Sequence, residues 1–215
     1  MPPDLPTPED IASGAAALGL ELSGQQINQL AEYAQLLMRW NSVHNLTAVR
    51  GGREVLTHHL LDSLAIVPHL VRLVAGEPAR VLDVGSGGGL PGLVLATVVP
   101  ALRLTLVDAA QKKCAFLTQA RLELRLSNVE VVHGRAETLT LPPQDIVVAR
   151  ALAALAQIAA WTGHLLKPGG CWLVMKGKRP DDELSALPPD LNAEAVPLQV
   201  PGLAEQRHLI VMRRA

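Results

Sequence analysis

Apolar positions in the first third of the chain recur at helical spacing, whereas beyond residue 80 they gather into short runs. Thr7-Pro8-Glu9-Asp10 reads as a helix start, with Thr as cap, Pro at the first helical position and acids in the first turn. Ser23 caps a second predicted helix, in which Ile27, Leu30, Ala34, Leu37 and Met38 share one face. A third helix is predicted over residues 55–73, bent or interrupted near Pro68. The polar stretch 41–49 predicts a loop between the last two. Runs at 81–84, 104–108, 129–132, 145–148 and 171–175 predict buried strands. Helical segments around 90–98, 111–126 and 152–166 separate several of them. Near-continuous apolar strands alternating with helices imply a parallel sheet covered on both faces. Right-handed crossovers make this an α/β, doubly wound sheet, with ligands at the carboxyl ends of the strands. We therefore expect a helical extension over 1–75 and an α/β domain over 76–215.

The segment Asp83-Val-Gly85-Ser86-Gly87-Gly-Gly89-Leu90-Pro-Gly92 carries the clearest chemistry. Glycines after a strand let the backbone turn tightly and approach a ligand, and the next helix offers free N–H groups. No Gly-Lys-Ser/Thr follows, which excludes a Walker A loop. Leu90 occupies the third glycine position of a dinucleotide fingerprint, which disfavours a nicotinamide dehydrogenase. An acidic strand end followed by G-x-G-x-G is the turn of S-adenosylmethionine-dependent methyltransferases. Asp108 closes the second strand, where an acid accepts hydrogen bonds from ribose hydroxyls, caps the following helix, or does both. Arg135, Ala136 and Glu137 follow the third strand, where they either read an adenine edge or form a solvated cluster. Arg150 ends the fourth strand. It is expected to pair with a cofactor carboxylate or a substrate phosphate, or else with Asp83 or Asp108.

Composition refines this picture. The 215 residues carry 19 Lys+Arg against 20 Asp+Glu, a net charge of −1, and 2% aromatics. Both figures speak against bulk nucleic-acid coating and against a base-stacking sheet. Five of the acids (Asp4, Glu9, Asp10, Glu21 and Glu32) precede the first basic residue, Arg39, so the remainder holds 19 basic against 15 acidic residues, a net +4. A local phosphate-contacting face remains compatible with that balance. Cys114 and Cys171, one in a helical and one in a strand segment, lack zinc or disulfide spacing and read as packed thiols. The Pro-rich acidic start carries no secretory pattern, and no apolar run is long enough to span a bilayer. A cytoplasmic protein is expected.

Asn45-Leu-Thr47-Ala-Val49, His58-His59-Leu-Leu-Asp62-Ser63-Leu64, the glycine turn, Arg150-Ala-Leu-Ala-Ala-Leu155, Met175-Lys176-Gly177 and Arg207-His208-Leu209 form an ordered set. In that order they resemble the bacterial small-subunit ribosomal RNA methyltransferase G family, also called glucose-inhibited division protein B. The resemblance runs from about Trp40 to about Val211. It implies a Rossmann-like class I fold with S-adenosyl-L-methionine as methyl donor. It further implies methylation of guanine N7 in 16S ribosomal RNA, free or within a 30S particle or assembly intermediate; a monomer is expected. By the same resemblance Gly85, Leu90, Ala136, Glu137 and Arg150 fall at cofactor positions and Asp108-Ala109 at the ribose end, while the turn itself adds Asp83, Ser86, Gly87 and Gly89 as cofactor-binding candidates. Gln206 stands where the family often has Glu, and Ala occupies a position in the Arg150 segment that is often more polar or aromatic.

Guanine N7 loses no proton on methylation, so alignment is needed and a general base is not. No Asn/Asp-Pro-Pro-aromatic motif follows the fourth strand, and neither cysteine has the Pro-Cys setting of cytosine C5 enzymes. Arg150 and Arg135 are the candidate catalytic residues. Asn45, Thr47, His59, Asp62, Ser63, Arg135, Lys176, Arg207 and His208 are expected to face the substrate, with Lys178 and Arg179 as further phosphate contacts. Asp62-Ser63 could instead brace the cofactor turn. Adjacent histidines on a helix diverge, so His58, His59 and Asp62 are not expected to hold a metal. Alternatives on the same fold are a small-molecule or protein methyltransferase and a non-catalytic, cofactor-binding ribosome-assembly factor.

Overall fold

A computed structural model describes residues 5–49 and 51–215. Two capping boxes open the chain. Helix α1 (Pro8–Ala17) starts where Asp10 N donates to Thr7 Oγ1 at 3.1 Å and Thr7 N donates to Asp10 Oδ2 at 2.9 Å. Helix α2 (Gly24–His44) repeats the device with Ser23 and Gln26. Each box satisfies amides that the first helical turn leaves without partners.

The predicted loop 41–49 is partly a correction, because α2 continues through Asn41 to His44 and ends on Asn45 in the left-handed region, φ 51°. Asn41 is buried in the last turns of the helix and clamps the segment from Thr47 to Val49. Its Nδ2 donates to Val49 O at 3.0 Å, and Thr47 N donates to its Oδ1 at 2.9 Å. A polar residue here serves a neighbouring stretch of backbone, which is why its polarity resembled a loop. The third predicted helix is likewise divided. Gly52–Glu54 is α-helical, Val55–Leu61 is π-helical, Asp62–Leu64 returns to α, and Val67–Val74 forms a separate helix. The break falls just before Pro68, which sits in the first turn of the last piece. Proline lacks the amide that would have continued the hydrogen bonds backward.

The sheet has seven strands in the order β3-β2-β1-β4-β5-β7-β6. Strands β1 (Ala79–Val84), β2 (Leu102–Asp108), β3 (Val129–His133), β4 (Gln144–Arg150) and β5 (Leu166–Lys176) pair in parallel. Strand β7 (Arg207–Arg214) inserts antiparallel between β5 and β6 (Leu191–Leu198). The connecting helices are shorter than the sequence predicts: Gly92–Val98, Gln111–Glu123 and Leu155–Thr162. Residues before Gly92 and before Leu155 are taken by loops at the strand ends instead.

One face of the sheet and the amino-terminal helices bury a single apolar cluster, joining Leu30 and Leu37 of α2 to Leu93, Leu106 and Phe116. The other face packs around Trp172, whose indole donates to Thr162 Oγ1 at 2.8 Å. The described part of the amino-terminal segment, from Ile11 to Val74, therefore shares its core with the sheet. Helix α2 also caps two helices from outside, since Gln26 Nε2 donates to the carbonyls of Thr97 and Val98 and Gln29 Nε2 to Leu124 O. Those are carbonyls that helix carboxyl ends leave unpaired. No helix among the described residues is long and apolar enough to cross a membrane.

Candidate cofactor and RNA site

The carboxyl ends of β1, β2 and β4 and the loop after β3 surround a cavity of about 290 Å³. Its lining includes Gly85, Asp108, Ala109, Arg135, Ala136, Glu137, Ala151 and Leu152. A larger groove of about 610 Å³ lies at the opposite edge, beside the amino ends of β1 to β3. Size does not choose between them; the glycine turn and the converging polar groups do.

The turn after β1 is held largely through its backbone. Gly85 N and Ser86 N both donate to Val107 O, at 2.8 and 3.0 Å, and Gly89 N donates to Ser86 O at 2.7 Å. Gly85, Gly87 and Gly89 all take positive φ, a conformation strained for other residues. A Cβ on Gly85 would meet Leu152 Cδ1 at 2.5 Å, whereas one on Gly87 would meet only Gly85 O, at 3.7 Å. The turn is therefore closely packed by Leu152 at Gly85 and unobstructed at Gly87.

Asp83 and Ser86 act from beneath the turn. Both are buried, so neither presents a side chain to a ligand in this arrangement. Ser86 Oγ donates to Asp83 O and accepts from Val107 N. Asp83 Oδ2 accepts from Gly92 N at 2.9 Å, while its Oδ1 has no partner. Burial pushes this carboxyl up to about 7, against the hydrogen bonds from Gly92 and Ser86. Asp108 does not cap the following helix, whose N-cap is Ala110 and has no side-chain cap bond; it ties the strand end to the glycine turn instead. Its Oδ1 accepts from Ala110 N at 2.9 Å, its Oδ2 accepts from Gly87 N at 3.0 Å, and Lys113 Nζ stands 3.5 Å away. Cys114 packs under the same residue and donates to Asp108 O.

Arg150 does not pair with Asp83 or Asp108. Its Nη1 donates to His58 O at 2.8 Å and to Asp62 Oδ2 at 3.1 Å, both on the helical segment before the sheet. Arg207 Nε lies 3.2 Å from the other oxygen of Asp62, an ion pair whose angle makes no hydrogen bond. Burial pushes the Asp62 carboxyl up, opposed by both arginines. The expectation that Asp62 faces the substrate is thus corrected: it faces two arginines. Ser63 is fully buried with its hydroxyl unpartnered and presents no substrate surface either.

His59 is buried, with Nδ1 2.9 Å from His58 O and Nε2 2.8 Å from Thr47 Oγ1. A carbonyl only accepts, so Nδ1 carries the proton and Nε2 accepts from the Thr47 hydroxyl. Burial, aided by the Arg150 charge, pulls this imidazole down to about 4 and keeps it neutral. Lys176 is also engaged. Its ammonium donates to Ala153 O and to both carboxylate oxygens of Glu183, at 3.0, 2.8 and 2.9 Å, which occupies its three protons. It therefore braces the loop after β4, and is not offered to RNA in this arrangement. Arg135, Lys178 and Arg179 are exposed, Arg179 beside Asp181. His208 Nδ1 lies 2.9 Å from Gly177 O, and Asn45 sits exposed at the end of α2.

Sequence reasoning missed Tyr33. Its hydroxyl, buried inside α2, donates to Gly88 O at 2.6 Å, and burial pushes its pKa up. Helix α2 thereby reaches into the glycine turn, 55 residues away. An amphipathic pattern marks such a residue only as core. Lys113 and Trp161, which line the cavity, were missed as well.

Solved structures share this architecture. The O-methyltransferase from Bacillus cereus in complex with SAH aligns with TM-score 0.62 at 16% identity, over 95% of this chain and 97% of that one. TrmN from Thermus thermophilus aligns at 0.54 and 23% identity, over 74% and 53%. Sheet order, glycine turn and these likenesses define the fold class: a Rossmann-like α/β fold of the kind found in those methyltransferases.

A family model described as rRNA small subunit methyltransferase G matches residues 26–210. The ribosomal RNA small subunit methyltransferase G of Acidovorax sp. (strain JS42) is 51% identical over 212 residues, 94% of this chain and 93% of its own. That of Leptothrix cholodnii is 47% identical over 214 residues, 99% and 97% of the two chains. The chain belongs to the rRNA small subunit methyltransferase G family.

Proposed function

We propose that the protein transfers a methyl group from S-adenosylmethionine to N7 of one guanine in 16S ribosomal RNA. The observation that carries this reading is the full-length family match, joined to a cavity floored by the glycine turn. The residues present fit the donor: the turn is open above Gly87, Asp108 and Ala109 lie at the end of β2, and Ala136 and Glu137 form the far wall. Gly85 to Leu90 and Asp108 would hold it through backbone and carboxylate, with Ala136 and Glu137 beside its base. When bound, the donor supplies an electrophilic methyl on a sulfonium.

Methylation at N7 suits the protonation states of this site. The N7 lone pair is free at neutral pH, so the protein orients the base and excludes water and removes no proton. His59, neutral and tied at both nitrogens, makes no demand on the base; Asp83 is sealed below the turn. Arg150 and Arg135, at the cavity's edge, hold the RNA. A 30S particle or its assembly intermediate is the form acted on, by a monomer in the cytoplasm. Supporting the monomer, the exposed large apolar residues among those described (Val43, Val71 and Leu122) sit on three different helices.

Incubation with labelled S-adenosylmethionine and unmodified 16S RNA or 30S particles is expected to label N7 of a single guanine. Label found only on protein or on a small molecule refutes the reading.

A further inference from the structure

The sheet face that packs around Trp172 is not covered along its whole length. Alternation along the strands sets what it carries: Arg80, Leu82 and Val84 on β1, Arg103, Thr105 and Val107 on β2, and Glu130 and Val132 on β3. Leu82, Val84 and Val107 are buried in the apolar cluster, whereas Arg80, Arg103 and Glu130 are exposed. A doubly wound sheet ordinarily lays a helix over this face on the way from β3 to β4. Here residues 134–143 supply a single 3-10 turn, Ala136–Thr138, and the amino halves of the three strands stay open on this side. The groove of about 610 Å³ lies there, rimmed by Pro78, Pro100 and Pro142.

Arg80 and Arg103 stand in register on β1 and β2, and both line this groove. Adjacent strands lie ~4.8 Å apart, so two like charges sit where cross-strand neighbours repel. Arg80 is bonded only through its backbone, from N to Asp145 Oδ2, and Asp145 pairs with Lys167. Among the described residues neither guanidinium enters a hydrogen bond or an ion pair. Glu130 is the one carboxylate lining the groove, and it is in register with Thr105 and not with Arg103. Two cations against one anion leave the groove basic and unneutralised.

We propose that this groove is a second RNA site, in which Arg80 and Arg103 together hold one backbone phosphodiester of 16S ribosomal RNA remote from the target guanine. Two planar guanidiniums rooted on adjacent strands match the oxygens of one phosphate, and Glu130 accepts from a neighbouring ribose hydroxyl. Arg103 precedes Asp108 by five residues on β2, which places the groove ~17 Å along the strand from the cavity. Contacts that far apart select RNA already folded, because a short unpaired stretch entering the cavity leaves the groove empty. The inference rests on the RNA-methyltransferase reading above and adds to it a contact at the opposite end of the sheet. An acidic ribosomal protein is the rival occupant, and the test separates the two.

The full-length protein is assayed for methylation of unmodified 30S particles and, over a salt series, for binding to protein-free 16S RNA, with donor affinity followed by calorimetry. Arg80→Gln and Arg103→Gln, combined in one chain, remove both cations and keep polar side chains at exposed positions. This double variant is expected to raise KM for the particle about tenfold and to weaken RNA binding to the same degree, with a salt slope smaller by about 0.7–0.9, as for one lost phosphate contact. Turnover at saturating particle and donor affinity should stay within about twofold, because the contact is made alike in ground and transition states. Arg72→Gln, which removes an exposed cation from the helix Val67–Val74, is the charge control and should alter neither KM nor slope. Equal effects from Arg72→Gln would overturn the proposal in favour of net charge alone. Unchanged KM and slope in the double variant would overturn it in favour of two solvated arginines. A raised KM for particles with unchanged binding to protein-free RNA would overturn it in favour of the ribosomal protein. Loss of melting temperature together with turnover would overturn it in favour of a brace for the sheet. Wild-type protein that methylates no RNA defeats the underlying reading, a result distinguishable from failure of the groove.

Discussion

Two turns leave the same edge of the sheet and solve different problems. The turn after β1 is a backbone structure, in which glycines at positive φ approach the cavity and almost every polar partner lies below. The turn after β4 is a side-chain structure. It begins with Arg150, passes through Ala151 at φ 49°, and is tied by Asp62, Glu183 and Lys176 from other segments. A ligand held by the first meets amides and carbonyls, whereas one held by the second meets a charge. The lesson is that one site can separate shape, set by backbone, from charge, set by long-range tethers.

The sharpest way to break this comparison is Gly87→Asp. A side chain there points into open space above the turn, and although its positive φ strains the backbone, its carboxylate occupies the donor's path. Calorimetry should find no measurable donor binding; unchanged affinity would move the site elsewhere. Next in size is Arg150→Ala, which removes charge and leaves the backbone cradle intact. Turnover should fall about ten- to hundredfold, the scale of a lost charge-assisted contact of ~1.5–3 kcal/mol. Donor affinity should survive, and equal losses of melting temperature and activity would reduce Arg150 to a salt-bridge partner. Tyr33→Phe tests the backbone turn from the opposite side. It leaves Gly88 O buried without its donor, at ~1–3 kcal/mol, and should raise the Kd for the donor with little change in RNA affinity.

The smallest effect is on pH dependence. Asp83 has a folded value near 7, above its ordinary 3.8, so its contribution to stability is present below about pH 4 and lost as pH rises towards 7. His59, held near 4 against an ordinary 6.5, works in the opposite sense: its contribution is present above pH 6.5 and lost as pH falls towards 4. The two slopes oppose each other over the shared window. Asp83→Asn should therefore unmask a rise in melting temperature between about pH 4 and 6.5, and a profile matching the wild type would contradict the burial argument.

How much of the molecule was legible in its sequence depends on the range of each interaction. The parallel strands, the capping boxes at Thr7 and Ser23 and the glycine turn depend on neighbours in sequence, and they read correctly. Strand β6 did not, because its residues are half exposed and end near Pro197, which leaves little apolar signal for an edge strand. The true partner of Arg150 was hidden as well, since nothing local distinguishes Asp62 from Asp83 or Asp108. Lys176 looked like a free cation until the fold brought Glu183 to it. Tyr33 was invisible as a site residue for the same reason: its partner lies on a turn that local pattern cannot connect to α2.

The Asp62 pairing has a consequence for synthesis. Asp62 leaves the ribosome 88 residues before Arg150, and Arg207 lies in the last strand to appear. A nascent chain can build the glycine turn and its Tyr33 strut while β7 is still inside the exit tunnel, but the charged half of the site waits for Arg207. A chain cut short before β7 would hold the cradle without Arg207.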